Sequence, residues 1–220
     1  MTLSKEQSHY VQNVMRMNTD DDIRLFNGTD GEWLASLNHV SKKQTDCILK
    51  EKVLEQPIDQ PRTHLICAPL KNNRMSMIIE KCTELGITDF HPVITKRTEI
   101  RSIRKDRIEK QIIEACEQSE RLDIPKLHEI KTLEDLIQNW EHTNTIHAAL
   151  ERTETKNKNS TTFQEDSAFL VGPIGGFTNE EHNTLLKKKN IKELSLGHNI
   201  LRAETAAIMC AALALNAKFG

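Results

Sequence analysis

Long apolar runs and export signals are absent from this sequence. No window of its 220 residues approaches the roughly 18 consecutive apolar residues that span a bilayer. The first ten residues, MTLSKEQSHY, lack the apolar core of a signal peptide. With 37% apolar and 28% charged residues, the composition is typical of a globular protein. We therefore expect a cytoplasmic protein with no membrane association.

Patterns that indicate disulfides, metals or nucleotide phosphates are also missing. The five cysteines are odd in number and widely spaced, without a C-x-x-C pair, which predicts buried, reduced thiols. The nine histidines show no H-E-x-x-H or other ligand spacing, so we expect no metal. Neither Gly-Lys-Ser/Thr nor G-x-G-x-x-G occurs, which argues against a P-loop enzyme and a dinucleotide oxidoreductase.

Positive charge is concentrated in one segment, although the formal net charge is only −2. Residues 96–107, KRTEIRSIRKDR, hold six Lys or Arg against two acids. Such a cluster is either an electrostatic footprint for phosphates or a solvated helix face.

The sequence divides into two regions. Short alternating apolar runs separated by Asn-Gly, Asp-Gly and polar turns fill residues 1–56, which predicts a small β domain. Two prolines in EQPIDQPR place a linker at 57–63. Residues 64–220 alternate strand candidates such as HLICAPL, AFLVGP and KELSL with helical segments. This alternation predicts an α/β domain with a mainly parallel, doubly wound sheet.

Glycine follows two of the predicted strands near the end of the chain. One turn lies in LVGPIGGFT and the other in LSLGHNILRAETA. Ligands bind beyond the carboxyl ends of parallel strands, and glycine lets the backbone approach them closely. Each turn alone could be only a tight turn, but two of them predict a backbone-lined ligand pocket.

The last helix starts with charged residues and continues with alanines. Arg202 precedes it, where a cation is mildly unfavourable, and this invites an anionic partner. The alternative is a capping pair between Arg202 and Glu204. Ala203, Ala207 and Ala211 form a ridge that allows close packing, although alanine is also the best helix former.

These residues carry a resemblance to a known family. GPIGGFTxxE followed by LSLGxxILRxETA resembles the signature of the SPOUT (trefoil-knot) methyltransferases, and more narrowly the RsmE family of 16S ribosomal RNA (uracil-N3) methyltransferases. KNNRMSMIIEKCTELGI, PVITKRTE and EACEQSERLDIP resemble further segments of that family, and HYVQNVMRM with LFNG resembles its PUA-like β-barrel domain. The chain departs from the family pattern at Ile174, at His198-Asn199 and at Glu120, which stands in place of a glycine.

The resemblance implies S-adenosyl-L-methionine as cofactor, a deep trefoil knot, a homodimer and 16S ribosomal RNA within the small subunit as partner. It places the cofactor against three loops. Their residues are Leu150, Glu151, Gly172, Pro173, Ile174, Gly175, Gly176, Ser195, Leu196, Gly197, Ile200, Leu201 and Thr205.

Roles for the arginines follow from the implied chemistry. Uridine N3 is a poor nucleophile until it loses its proton, and a positioned cation stabilises the resulting anion. Arg202 is the predicted catalytic residue, with no dedicated side-chain base. RNA contact is assigned to the basic side chains of Arg16, Arg97, Arg101, Arg104 and Arg121. Two alternatives stay open: a SPOUT ribose 2′-O-methyltransferase on ribosomal or transfer RNA, and a non-catalytic RNA-binding relic.

Overall fold

A computed structural model describes residues 1–41, 44–141, 144–150, 163 and 166–219. The chain forms two compact units, Met1–Asp59 and Gln60–Gly220. The division falls inside the predicted linker 57–63.

The first unit begins with a short capped helix. In α1 (Lys5–His9), the side chain of Ser4 accepts from the Gln7 backbone, and the Gln7 side chain accepts from the Ser4 backbone. This capping box satisfies two amide donors that the first turn leaves without partners. A π-helical turn, Tyr10–Val14, continues the segment.

An antiparallel sheet makes up the rest of the first unit. Its strands are β1 (Asp22–Leu25), β2 (Glu32–Val40) and β3 (Thr45–Leu54), in the order β1-β2-β3. The small core contains Leu3, Val11, Ile23, Ala35, Leu37 and Cys47. Gly31 enables the β1–β2 connection, because a Cβ there would lie 2.3 Å from the carbonyl oxygen of Leu54. The β domain predicted for this region is confirmed.

The second unit alternates strands and helices, as the sequence predicts. The strands are β4 (Thr63–Cys67), β5 (Asp89–Ile94), β6 (Lys126–Leu127), β7 (Lys131–Thr132), β8 (Ile146–Ala149), β9 (Ser167–Val171) and β10 (Ile191–Leu194). The helices are α2 (Asn72–Glu84), α3 (Lys105–Gln118), α4 (Leu133–Gln138), α5 (Asn179–Leu186) and α6 (Ala203–Phe219). Every residue of β4 and β9 is buried, as expected for central strands covered on both faces.

The strands of the second unit form one parallel sheet. Their order is β10-β8-β9-β4-β5-β6, and β7 also pairs with β5. This confirms the predicted α/β architecture. Because all strands run the same way, every segment that follows a strand leaves from the same edge of the sheet.

Helix α6 packs against α2 and against strands β4 and β9. The alanine ridge lies on its packed side, since Ala207 and Ala211 are fully buried. Small side chains at these positions allow the close approach that the sequence predicts. Among the described helices, none is both long enough and apolar enough to cross a bilayer.

All five cysteines are free and buried, as predicted. Burial raises the pKa of the Cys67 and Cys210 thiols to about 12 and that of Cys116 to about 11. It also raises the pKa of Cys82 and, in the first unit, of Cys47. These side chains are therefore protonated at neutral pH.

The backbone conformation at Glu120 explains why the family pattern has a glycine at this position. Helix α3 ends at Gln118 with Ser119 as its C-cap, and the following residue, Glu120, has a φ of +54°. This left-handed conformation commonly ends helices and is adopted without steric cost by glycine alone.

We predict that Glu120→Gly raises the free energy of unfolding by about 0.5–1 kcal/mol, because it relieves the left-handed strain. Thermal or urea unfolding measures the change. The control is Glu117→Gly, inside α3, which should lower the free energy of unfolding by a similar amount. A loss of stability in both variants would contradict the interpretation.

Candidate functional site

The three predicted loops leave adjacent strands at the same edge of the sheet. Leu150 directly follows β8, Gly172 follows β9 and Ser195 follows β10. Strand β8 lies between β9 and β10, so the three segments emerge side by side. Glu151, the other residue predicted in the first loop, lies outside the described residues. The structure thus brings together the segments that the sequence predicts to line a pocket.

The turn after β9 is closely packed. The Gly176 amide donates to the carbonyl of Pro173 over 2.9 Å, and Gly176 has a φ of +65°. A Cβ on Gly172 would lie 2.9 Å from the Phe177 ring, which packs against the hydrophobic core. Pro173 is buried, whereas Ile174 is 50% exposed. The turn therefore presents Ile174 to solvent while its flanks are fixed.

Arg97 supports this turn directly. Its Nη1 donates to the carbonyl of Gly175 at 2.7 Å and approaches that of Phe177 at 3.3 Å. Arg97 is itself exposed, and among the described residues only its Nη1 is bonded. We therefore interpret Arg97 as a residue that supports the loop, and its RNA contact stays a prediction.

Helix α5 continues from the turn and is fixed at its start. Thr178 and Glu181 form the capping box that the sequence predicts. Glu181 also accepts from the backbone amide of Lys96 at 2.7 Å. Lys96 pairs with Glu180 as well. Glu180 and Glu181 thus hold Lys96, the first residue of the basic segment 96–107, against the start of the helix that follows the glycine turn.

The third loop is open. Gly197 has a φ of +112°, and a Cβ placed on it would meet no atom within 4 Å. Ser195, Ile200 and Thr205 are exposed, and Leu196 and Leu201 are half-buried. Such a backbone can be approached by a ligand without displacing side chains.

Arg202 is exposed just before α6, and its carbonyl accepts from the Ala206 amide at 2.9 Å. Among the described residues, no carboxylate lies within ion-pair distance of its guanidinium. The capping pair considered for Arg202 and Glu204 is thus not formed. Arg202 is available for an anionic partner.

The remaining arginines differ in their surroundings. Arg16, Arg101 and Arg104 are exposed. Arg121, in contrast, is only 10% exposed in its side chain, forms a two-point ion pair with Asp123 and donates to the carbonyl of Thr83 at 2.7 Å. This geometry argues against Arg121 as a phosphate contact, because its donors already have partners.

A charged pair that sequence reasoning did not assign lies at the same edge. Glu204 is 6% exposed, and its Oε1 lies 3.7 Å from Nε of Arg74 in α2. The signal available in the sequence was that Arg74 and Glu204 both fall within the quoted family motifs.

A second polar cluster lies at the opposite, amino edge of the sheet. His64, Asp89 and His91 place three potential metal-ligating atoms within 4.8 Å of one another. His64 Nδ1 and His91 Nε2 are 3.0 Å apart, and the His91 and His128 rings stack. His64 lies near the start of β4, Asp89 and His91 lie near the start of β5, and His128 directly follows the short strand β6.

The Asp89 carboxylate already has its charge and hydrogen bonds satisfied. Arg62 donates to both oxygens at 2.7 and 2.9 Å, Thr88 donates at 2.7 Å, and His128 Nε2 lies at 2.8 Å. Burial raises the pKa of the Asp89 carboxyl, but the hydrogen bonds from His128, Arg62 and Thr88 outweigh this effect. They hold the pKa of Asp89 well below its usual range. The guanidinium supplies the positive charge that a metal ion would bring. We interpret the cluster as structural.

Two known protein families match the chain. Residues 58–215 match a family described as RNA methyltransferase domain, and residues 3–50 match one described as RNA methyltransferase PUA domain. The chain belongs to this RNA methyltransferase family. The first match covers most of the second unit and the second lies within the first unit, so the resemblance inferred from the sequence motifs is confirmed.

Individual relatives agree. The ribosomal RNA small subunit methyltransferase E of Rickettsia conorii is 41% identical over 209 residues, which are 93% of this chain and 84% of that protein. The enzyme of the same name from Synechocystis is 32% identical over 94% of this chain and 69% of its own length.

Solved structures share the fold. A methyltransferase from Legionella pneumophila in complex with bound SAM aligns with a TM-score of 0.87 at 31% identity, covering 99% of this chain and 91% of its own. The ribosomal RNA small subunit methyltransferase E of Neisseria gonorrhoeae, bound to S-adenosyl methionine, aligns at 0.81 and 28% identity, covering 96% and 89%.

We predict that Asp89→Asn lowers the free energy of unfolding at pH 7 by about 1–3 kcal/mol. Removing one partner of a fully buried ion pair would lower stability by more than this. Here Arg62 is half exposed, so water can solvate its guanidinium once the carboxylate is lost. Because the folded-state pKa of Asp89 is lowered, its contribution is complete above about pH 5 and is lost as the pH falls below about 4. The difference between wild type and variant should therefore shrink in acid.

Thermal unfolding between pH 7 and pH 3 measures this difference. Glu129→Gln is the control, since Glu129 is a largely exposed partner of Lys105 and should change stability by less than about 1 kcal/mol. A wild-type advantage that is constant with pH would contradict the assignment.

We also predict that Gly172→Ala lowers the free energy of unfolding by about 1–3 kcal/mol, because its Cβ must displace the Phe177 ring. Gly175→Ala is the matched control, since its Cβ would meet Arg97 Cδ at an ordinary 3.5 Å. Unfolding midpoints of both variants provide the measurement, and equal losses would refute the steric explanation.

Proposed function

We propose that this protein transfers the methyl group of S-adenosyl-L-methionine to N3 of a uridine in 16S ribosomal RNA. The observation that carries the proposal is the convergence of three segments beyond β8, β9 and β10 at one edge of the sheet. Membership of the RNA methyltransferase family and the likeness to small subunit methyltransferase E enzymes support it.

The residues present fit the cofactor. Gly172 and Gly197 carry no side chain at the turns, and the open face of Gly197 leaves backbone groups accessible to an adenosine. Leu150, the segment 172–176, and residues 195–201 with Thr205 would hold it. When bound, the cofactor supplies a methyl group already activated on a sulfonium.

The protein's own contribution is to place the uridine and stabilise its anion. As N3 loses its proton, negative charge spreads onto the neighbouring oxygens, and a fixed cation lowers the barrier. Arg202 fits this role because it is exposed at the amino end of α6 and has no ion-pair partner among the described residues. The helix dipole adds favourable potential for an anion at that point.

RNA binding is proposed for Arg101 and Arg104 in the second unit and for Arg16 in the first. All three are exposed, and the first unit matches a PUA domain of RNA methyltransferases. Arg97 is exposed as well and stays in the proposed contact set, whereas Arg121 leaves it because all three of its guanidinium nitrogens already have partners. We further propose a homodimer with a trefoil knot, acting in the cytoplasm on the small ribosomal subunit.

We predict that wild-type protein methylates small-subunit particles that lack the modification, and that Arg202→Ala lowers kcat by roughly 100-fold or more, as expected for loss of a group that stabilises an anionic transition state. Transfer of a radiolabelled methyl group gives the rate. Lys126→Ala, which removes an exposed cation at the opposite edge, should keep full activity.

Mass spectrometry of the product nucleosides decides the site of methylation. Methylated uracil base supports the proposal, whereas a methylated ribose would replace it with the 2′-O-methyltransferase alternative. Calorimetry that detects no binding of S-adenosylhomocysteine would indicate a non-catalytic relic. Full kcat in Arg202→Ala would remove that residue from the mechanism.

A further inference from the structure

At the carboxyl edge of the sheet, one carboxylate has a buried oxygen that accepts no hydrogen bond from any described residue. Glu204 is 6% exposed, and its Oε2 is buried with no partner among the residues that the structure describes. An ionised carboxylate accepts several hydrogen bonds, and leaving it unsatisfied in the interior is destabilising. Packing alone therefore does not explain this residue.

The neighbouring Arg74 lies close to Glu204 but makes no hydrogen bond to it. Arg74 Nε lies 3.7 Å from Oε1 of Glu204, which is an ion-pair distance but too long for a hydrogen bond. The Arg74 side chain is 39% exposed. Both members of the pair therefore retain hydrogen-bonding capacity.

The pair lies at the same edge of the sheet as the glycine turns. Helix α2 follows β4 and helix α6 follows β10, so both helices begin at the carboxyl edge. Arg74 is the third residue of α2 and Glu204 the second of α6, and the two helices pack together. Strand β4 also adjoins β9, from which the GPIGG turn leaves.

The charges select a class of ligand. A phosphate would be attracted by Arg74 but repelled by Glu204, and a neutral base offers no charge to either. An α-amino acid carries both an ammonium and a carboxylate a short distance apart, which complements a carboxylate beside a guanidinium.

We propose that Glu204 and Arg74 bind the amino-acid portion of S-adenosylmethionine. Glu204 accepts from the α-ammonium, and Arg74 donates to the α-carboxylate. This inference rests on the proposed function, and it adds two residues to those predicted to hold the cofactor. It also explains why a buried carboxylate oxygen at the start of α6 has no hydrogen-bond partner among the described residues.

The test compares two ligands on the full chain by calorimetry. S-adenosylhomocysteine contains the amino-acid portion, whereas 5′-methylthioadenosine keeps the adenosine and thioether but lacks it. Glu204→Gln should weaken S-adenosylhomocysteine at least about tenfold, as expected for a lost hydrogen bond to a charged group. The Kd of 5′-methylthioadenosine should stay within about twofold. Glu129→Gln, the exposed carboxylate control, should change neither.

Equal weakening of both ligands by Glu204→Gln, or weakening of neither, would overturn the inference. If Glu204→Gln does not fold, Arg74→Gln supplies the test, because its side chain is substantially exposed; it should show the same selective loss. Wild-type protein that binds neither ligand would refute the proposed cofactor itself. Wild-type binding without selective loss in the variants would refute only the roles of Glu204 and Arg74.

Discussion

The parallel pairing of β8 with β9 on one side and β10 on the other is the constraint on which the rest of the site depends. Ile146 of β8 is in register with both Ala168 and Ile191, so the three strands run together and end together. The turns beyond them, distant in sequence, must then emerge as neighbours. Helices α2 and α6, which start at the same edge, bring their first side chains to the same place.

The two edges of the sheet differ in how their charges are satisfied. At the amino edge, Asp89 receives hydrogen bonds from Arg62, Thr88 and His128. Both carboxylate oxygens therefore have partners, as expected for a buried polar network that stabilises the fold. At the carboxyl edge, Glu204 has a buried oxygen without a partner, and Arg202 has no counter-ion among the described residues. At this edge, the charged groups that lack partners among the described residues are ones that a ligand can bind.

Local patterns predicted the elements well, whereas side-chain partners depended on distant packing. The alternation of apolar runs located the strands and helices, and glycine marked two of the turns that form the site. The pairing of Arg74 with Glu204 could not be anticipated, because only the packing of α2 on α6 brings these residues together. Charge and motif resemblance predict Arg97 and Arg121 as RNA contacts, but neither reveals that the Gly175 carbonyl or Asp123 lies within reach.

The burial of all five thiols has a practical consequence. The thiolate is the reactive form of cysteine, and raised pKa values together with enclosure keep its population very low in the folded protein. Alkylation must then wait for the surrounding structure to open. Cys47 lies in the first unit and the other four in the second, so the order in which the cysteines become modified records which unit opens first.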